Sequence, residues 1–463
     1  MPWRWIIAGC VTVAVVAILL PRPKPDLPGL STAAATASSP QAESYSGTAS
    51  RGSSPLRIAH CAAKPAAAEV VAAKVSQFAL NRLEIVRAIA RARDFELPAE
   101  IERFFELVKS GDWEALRHAF EALNDQRMGT AAGWNEDLSH LWPAILETYG
   151  VAEVAHDWPA QWLLDYGQTL LDSLRPDMVY VGGTDPGRFI PTLLNETSDD
   201  GRHIVITQNA LADGSYLEYL SFLYGDRLAT LTSEDSQNCF EQYVEDARRR
   251  LLHDQQFPDE PQQVRPGEHL QFKDGGLQVS GQVAVIAINE RLLQTLLQKN
   301  PDLSFALEEG FPFKSTYADA TPLGPLMELR VRDSQNTLTA ERAAQSIEDW
   351  RATTRSLLSD PSTPEASDPR KAYAKLILAQ ANLFLDRNFT GEAEQAYRLA
   401  NELCPSGPEA VFNYVSLLMK QGRVAEATRV AQTADRLAPG QAQFRQLLEQ
   451  LQSLPASPTK RMN

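Results

Sequence analysis

The sequence lacks the spacings that mark metal and redox centres. Its four cysteines, Cys10, Cys61, Cys239 and Cys404, form no CxxC pair, and its seven histidines are scattered. No Gly-rich loop carries the lysine of a phosphate-binding P-loop, and there is no GxGxxG. No motif calls for a cofactor or a metal. Positive charge is short as well, with 44 Lys and Arg against 59 Asp and Glu and a formal charge of −15. Phosphate backbones are held by clustered Lys and Arg, so this balance excludes general nucleic-acid binding. The acidity is spread along the chain and favours solubility. A Cys61–Cys239 bridge is available only in an oxidising compartment.

Long apolar runs are missing except for one, Trp5–Leu20 (WIIAGCVTVAVVAILL), flanked by Arg4, Arg22 and Lys24. It is slightly short for a spanning helix, with Trp3 and Trp5 placed to anchor at the interface. A cleaved signal peptide is the rival reading, but PRPKP follows the run where a small-residue cleavage site would stand. Residues 1–25 are therefore expected to form an uncleaved single-pass anchor. Residues 26–58, rich in Pro, Ala, Ser and Thr, read as a linker without hydrophobic mass, spanning roughly 30 Å. The remaining chain is expected outside the cytoplasm.

Residues 65–158 carry helical periodicity. EIERFFELVKSGDWEALRHAFEAL reads as a helical hairpin broken at Gly111, with Phe104, Phe105, Trp113 and Phe120 as core rather than ligand platform. An α/β segment follows over 159–335, organised around Met178–Tyr224. Met178–Val181 reads as a strand that stops at Gly182-Gly183-Thr184-Asp185-Pro186-Gly187. Asp185 is the expected N-cap of the next helix, with Pro186 at its first position. His203–Thr207 reads as a second strand ended by Gln208-Asn209, and Asp213 or Ser215 opens another helix. Parallel strands joined by a helix place both turns at one carboxyl edge, where open α/β sheets bind ligands. Gly182, Gly183, Thr184, Asp185, Arg188, Gln208, Asn209 and Asp213 are thus the candidate site.

Two readings of that turn stand side by side. In one, Gly182 and Gly183 admit close backbone approach, and N–H groups at the helix start face an anionic or sugar ligand. In the other, the glycines turn the chain while Asp185, Asn209 and Asp213 cap helices. No nucleophile–base pair is evident, and His203, in a strand, reads as packed.

Further on, Ser233 is the expected cap of a helix carrying Arg248-Arg249-Arg250 on a solvated face. HLQFKDGGLQVS (His269–Ser280) reads as a hairpin, and Val283–Ile288 as a buried strand before a helix. Strands near Leu303–Leu307 and Pro325–Val331 complete a mixed α/β sandwich. A linking helix, Leu338–Ser359, falls in 338–370. Over 372–455 the chain repeats itself at a period of 34, the separation of Pro405 and Pro439. Ala381, Phe384, Ala393, Tyr397 and Ala400 align with Val415, Leu418, Ala427, Ala431 and Ala434. This pattern resembles the tetratricopeptide repeat, with Gln441–Leu454 as cap helix, and implies protein partners.

GGTDPGRFIPTLL and ITQNALADGSYLEYLSFLYGDR, with SGQVAVIAIN and the repeats, carry a wider resemblance over about Pro98 to Gln441. The chain resembles the soluble C-terminal region of bacterial multi-pass membrane proteins related to protein O-mannosyltransferases, in a stand-alone form with tetratricopeptide repeats. In those transferases the membrane-embedded part is expected to carry catalysis, and this chain has one apolar segment only. The resemblance therefore implies a non-catalytic interaction role in the cell envelope. The alternative it leaves is a sugar- or nucleotide-sugar-binding module, or a related enzyme, with its site at the carboxyl edge.

Overall fold

The computed structural model describes residues 66–129, 136–183, 185–198, 203–273, 276–308, 320–329 and 337–453. The expected anchor and linker lie outside these residues, as do Thr184 and Cys61. No described helix is long and apolar enough to cross a membrane.

The chain is mostly helical around a small mixed sheet. Helix α1 (Ala67–Ala92) is followed by the hairpin of α2 (Ala99–Ser110) and α3 (Trp113–Arg127). Gly111 ends α2 at φ +72, and Asp112 caps α3 by accepting the Ala115 N–H at 3.1 Å. Three of the hairpin's four aromatic residues are core, as its spacing predicts: Phe104 and Phe105 are fully buried, and Phe120 stacks on Tyr149, whereas Trp113 is partly exposed and packs against the core from its rim. The short α4 (Glu136–Ser139), then α5 (Trp142–Asp157) and α6 (Ala160–Asp172), lead into β1 (Met178–Gly182). Helices α1, α5 and α6 all pack on α7 (Asp185–Glu196).

β1, α7 and β2 (Ile204–Thr207) form the expected parallel unit, with Val179 beside Ile204 and Gly182 beside Thr207. A 3-10 turn (Gln208–Ala210) and α8 (Gly214–Tyr224) follow. α9 (Ser233–Gln256) begins one residue earlier than expected: its cap is Thr232, paired with Asp235 in a capping box. β3 (His269–Lys273) and β4 (Gly276–Ser280) make the expected hairpin. Val283–Ile288, however, is not a strand. It opens α10 (Gln282–Lys299), where Ala284, Ile288 and Leu292 share a buried face at helical spacing. A short apolar run has no period of its own, so the helical pattern downstream decides its state.

β5 (Ser304–Leu307) lies parallel to β1 on the side away from β2. The hairpin of β6 (Thr321–Leu323), which the sequence reading missed, and β7 (Leu326–Glu328) adds two antiparallel strands, giving the order β2-β1-β5-β7-β6. α11 (Ala340–Ser359) then packs on the first of two helix pairs, α12 (Asp368–Asp386) with α13 (Thr390–Leu403), and the second pair, α14 (Pro408–Lys420) with α15 (Val424–Leu437), stacks on the first through α13 and α14. All ten residues aligned by the 34-residue period are buried, and α16 (Ala442–Ser453) closes the array against α15.

Candidate functional site

The chain leaves β1 on one side to form β2 and returns on the other to form β5. This order puts a topological switch point between β1 and β5, the place where open sheets leave a crevice at their carboxyl ends. Gly182 and Gly183 end β1 there, and Glu308 follows β5. The Glu308 N–H donates to the Val181 carbonyl at 3.1 Å, and its carboxylate accepts the Gly183 N–H at 2.8 Å. Only 1 % of Glu308 is exposed. A Cβ on Gly187 would lie 1.9 Å from the Glu308 carboxyl carbon, and one on Gly182 would lie 2.7 Å from the Gly187 carbonyl oxygen. Two of the turn's glycines are therefore required by close approach. The start of α7, where free N–H groups favour negative charge, is filled by the chain's own carboxylate.

A proline completes this arrangement. Pro191, inside α7, has no N–H to offer the Gly187 carbonyl four residues back. The buried Tyr180 hydroxyl on β1 donates to that carbonyl and ties the first turn of α7 to the sheet.

The other predicted residues divide into groups. Asp185 begins α7 and accepts from Arg188 Nη2 at 2.9 Å; Arg188 lies over the Phe189 ring at 4.2 Å. Asn209 Nδ2 donates to the Gly183 carbonyl at 3.2 Å and so joins the two turns. Gln208 is 1 % exposed, and neither atom of its amide has a partner. Asp213 caps α8, accepting the Ser215 N–H at 2.9 Å and the Ser215 hydroxyl at 2.7 Å, as expected. Gly183, Asn209 and Glu308 are thus brought into direct contact, whereas Asp213 serves its own helix.

Sequence reasoning missed Glu308, 125 residues from Gly183. The signal was available: a strand parallel to β1 must end at the same edge, and Glu308 is the first residue after it. Also missed were the tyrosines that close the sheet edge. Tyr216 accepts the Thr207 N–H at 2.7 Å, and Tyr224 accepts the Val205 N–H at 3.0 Å, so the outer side of β2 is bonded to α8. Burial first, with lesser opposition from their hydrogen bonds, pushes both phenol pKa values up and keeps them protonated. His203 is half-buried, its backbone held on both sides by Asn195, and burial lowers its pKa.

Two buried ion clusters lie elsewhere. Arg82 on α1 meets Glu147 on α5 at 2.7 Å and Glu196 at the end of α7 at 3.5 Å, while Tyr219 donates to Glu147 at 2.7 Å. Arg250 departs from the solvated face expected for the arginine run. It pairs through two nitrogens with Glu268, which also accepts from Tyr243 and from the Arg265 N–H. Arg248 and Arg249 are exposed as expected. Burial works to raise the Glu268 pKa, but Arg250, Tyr243 and the Arg265 N–H hold it down at about 2. Both clusters join separate helices and loops. Cys239 is a buried thiol beside Thr295.

Among the described residues, no group of three or more His, Cys, Asp or Glu side chains is placed to hold a metal ion. No family model, no curated protein and no solved structure matches this chain.

Proposed function

We propose that this chain is a membrane-tethered, non-catalytic interaction protein of the bacterial cell envelope, whose C-terminal helix pairs are tetratricopeptide repeats serving protein partners. The observation that carries this reading is the repeated packing of α12–α13 and α14–α15. Small residues at equivalent places, Ala393 and Ala400 in the first pair and Ala427 and Ala434 in the second, are fully buried. Arrays of this kind leave extended surfaces suited to partners. Glu308 supports the non-catalytic side, because it fills the place where a substrate anion would bind. Trp5–Leu20 would supply the tether, and the linker would hold the folded part off the membrane.

The test is cross-linking of the full chain in its native membranes. Phe412 and Leu437 are exposed apolar residues of the second pair. Leu437→Asp should abolish a specific cross-linked partner while leaving membrane retention and thermal stability unchanged; Phe412→Asp should abolish it too, with some loss of stability because its ring stacks on the buried Phe444. An unchanged set of cross-links would sink the repeat-mediated reading.

A second reading is favoured by one observation, the unpartnered buried amide of Gln208 at the end of β2. In that reading the carboxyl edge binds a sugar or nucleotide sugar. Thermal shift against nucleotide sugars and polyprenyl-phosphate analogues tests it. A saturable rise lost in Arg188→Ala would favour it over the first.

A further inference from the structure

Four shielded polar atoms at the carboxyl edge have no partner: Gln208 Nε2 and Oε1, Asn289 Oδ1 and Arg188 Nε. Gln208 and Asn289 are each 1 % exposed. They stand on elements that touch, the 3-10 turn after β2 and α10. The face of α10 toward α9 is marked by Thr295 beside Cys239, Lys299 on Asp235 and Arg291 near Asp246. Asn289 is on a different face, which it shares at i+4 and i+7 with the buried Leu293 and Leu296. Arg188 is tied in through Gly182: a Cβ on Gly182 would lie 3.0 Å from the Arg188 Cα, and Gly182 pairs across the sheet with Thr207, the residue before Gln208.

The contrast with Gln380 shows what a settled buried glutamine looks like. Gln380 is fully buried, and its Oε1 accepts from Ser346 at 2.6 Å and Trp350 at 2.9 Å. Its Nε2 donates to the carbonyls of Gly324 at 2.7 Å and Leu326 at 3.0 Å. At Gln208 no such bond is made, and unmade bonds of buried polar groups are destabilising.

We infer that Gln208, Asn289 and Arg188 line a binding site for a small neutral molecule whose hydroxyl or carboxamide groups both donate and accept hydrogen bonds. The chemistry follows from the inventory of free atoms. Two are donors, Gln208 Nε2 and Arg188 Nε, and two are acceptors, Gln208 Oε1 and Asn289 Oδ1. A carboxylate or phosphate has nothing to give the acceptors, and a metal or ammonium ion has nothing to take from the donors. The Arg188 charge is already met by Asp185 at 2.9 Å. A neutral group that does both matches all four. This rests on the ligand-binding reading of the carboxyl edge and goes further by excluding charged ligand groups from this position.

The test is thermal shift and titration calorimetry on the full chain with two probes, D-glucose for the hydroxyl source and acetamide for the carboxamide source. The wild type should show a saturable rise in melting temperature with one of them, and that probe names the source. The rise should vanish in Gln208→Leu and, independently, in Asn289→Leu, so that one misfolded variant does not decide the matter. Without probe, Gln208→Leu should melt no lower than the wild type, because no protein bond is lost. No rise with either probe would overturn the inference, as would a rise that survives both variants or a lowered melting temperature for unliganded Gln208→Leu. A shift with nucleotide sugars but with neither probe would keep the edge as a ligand site and still sink the neutral site.

Discussion

Two glutamines are buried to the same degree at opposite edges of one sheet, and their surroundings could hardly differ more. Gln380, on α12, makes four hydrogen bonds, two to α11 and two to the β6–β7 hairpin. Gln208, at the end of β2, makes none with this chain. The first edge is a joint: it fastens the repeats to the sheet through a polar group with no bonding capacity left over. The second edge is held by its neighbours, with Asn209 on Gly183 and Tyr216 on Thr207, while its central amide stays free. Burial alone does not tell a structural polar residue from a receptive one; its bonding tally does.

The largest effect should come from removing the joint. Gln380→Leu leaves the Trp350 indole N–H, the Ser346 hydroxyl and two carbonyls without partners in a dry place. At about 1 kcal/mol for each lost bond, the cost is on the order of 4 kcal/mol by chemical denaturation. Gln208→Leu, of the same shape and burial, should cost nothing. Equal losses at the two sites would erase the contrast between the edges.

Next in size is Gly187→Ala. Alanine in a helix interior is normally worth about 1 kcal/mol over glycine. Here the added methyl meets the Glu308 carboxylate at 1.9 Å, and the sign should reverse to a loss of about 3 kcal/mol. In a double-mutant cycle Glu308→Ala should relieve part of that loss, because the two atoms compete for one place. A stabilising Gly187→Ala would show that Glu308 does not sit in the turn.

The repeats depend on small residues for another reason, and the comparison can be sharpened there. Ala427 is a fully buried residue of α15. Ala427→Trp should cost about 2 kcal/mol by overpacking, with no change in pH dependence. A wild-type melting temperature would count against a close helix seam.

These cases also show why part of the molecule was readable from sequence and part was not. The β1–α7–β2 unit and its turns were legible because their signals, the Gly-Gly stop, Asp213 and helical spacing, are local. The repeats were legible because one packing task recurs after 34 residues. Val283–Ile288 was misread because six apolar residues fit a strand and a buried helix equally well. β6 was missed because Thr321-Pro322-Leu323 is too short to carry a period, and its proline is tolerated only because it lies on an edge strand. Glu308 and Arg250 were missed because their partners come from distant segments or across a loop. Small residues looked alike in sequence, yet Gly187 makes room for a carboxylate and Ala427 for a helix.

The smallest expected effects separate the two aspartates of the candidate site. Asp213 caps α8 with its carboxylate on the Ser215 N–H, so Asp213→Ala should cost about 1 kcal/mol, while Asp213→Asn, which keeps the acceptor, should be nearly neutral. Asp185 is about half-exposed, and its carboxylate accepts from Arg188, one turn along the same helix. A pair of this kind on a wet surface is worth less than about 0.5 kcal/mol, so Asp185→Asn should be nearly silent in denaturant melts. Its effect should instead reach Arg188, which loses its counter-charge. In the wild type that charge is met, and a neutral ligand fits beside it; in Asp185→Asn the uncompensated guanidinium should gain affinity for small anions such as phosphate. Calorimetry with phosphate on the two chains measures this difference directly. Equal and negligible phosphate binding by both would mean that Arg188 is compensated by some other group, and Asp185 would then matter to neither edge of the sheet.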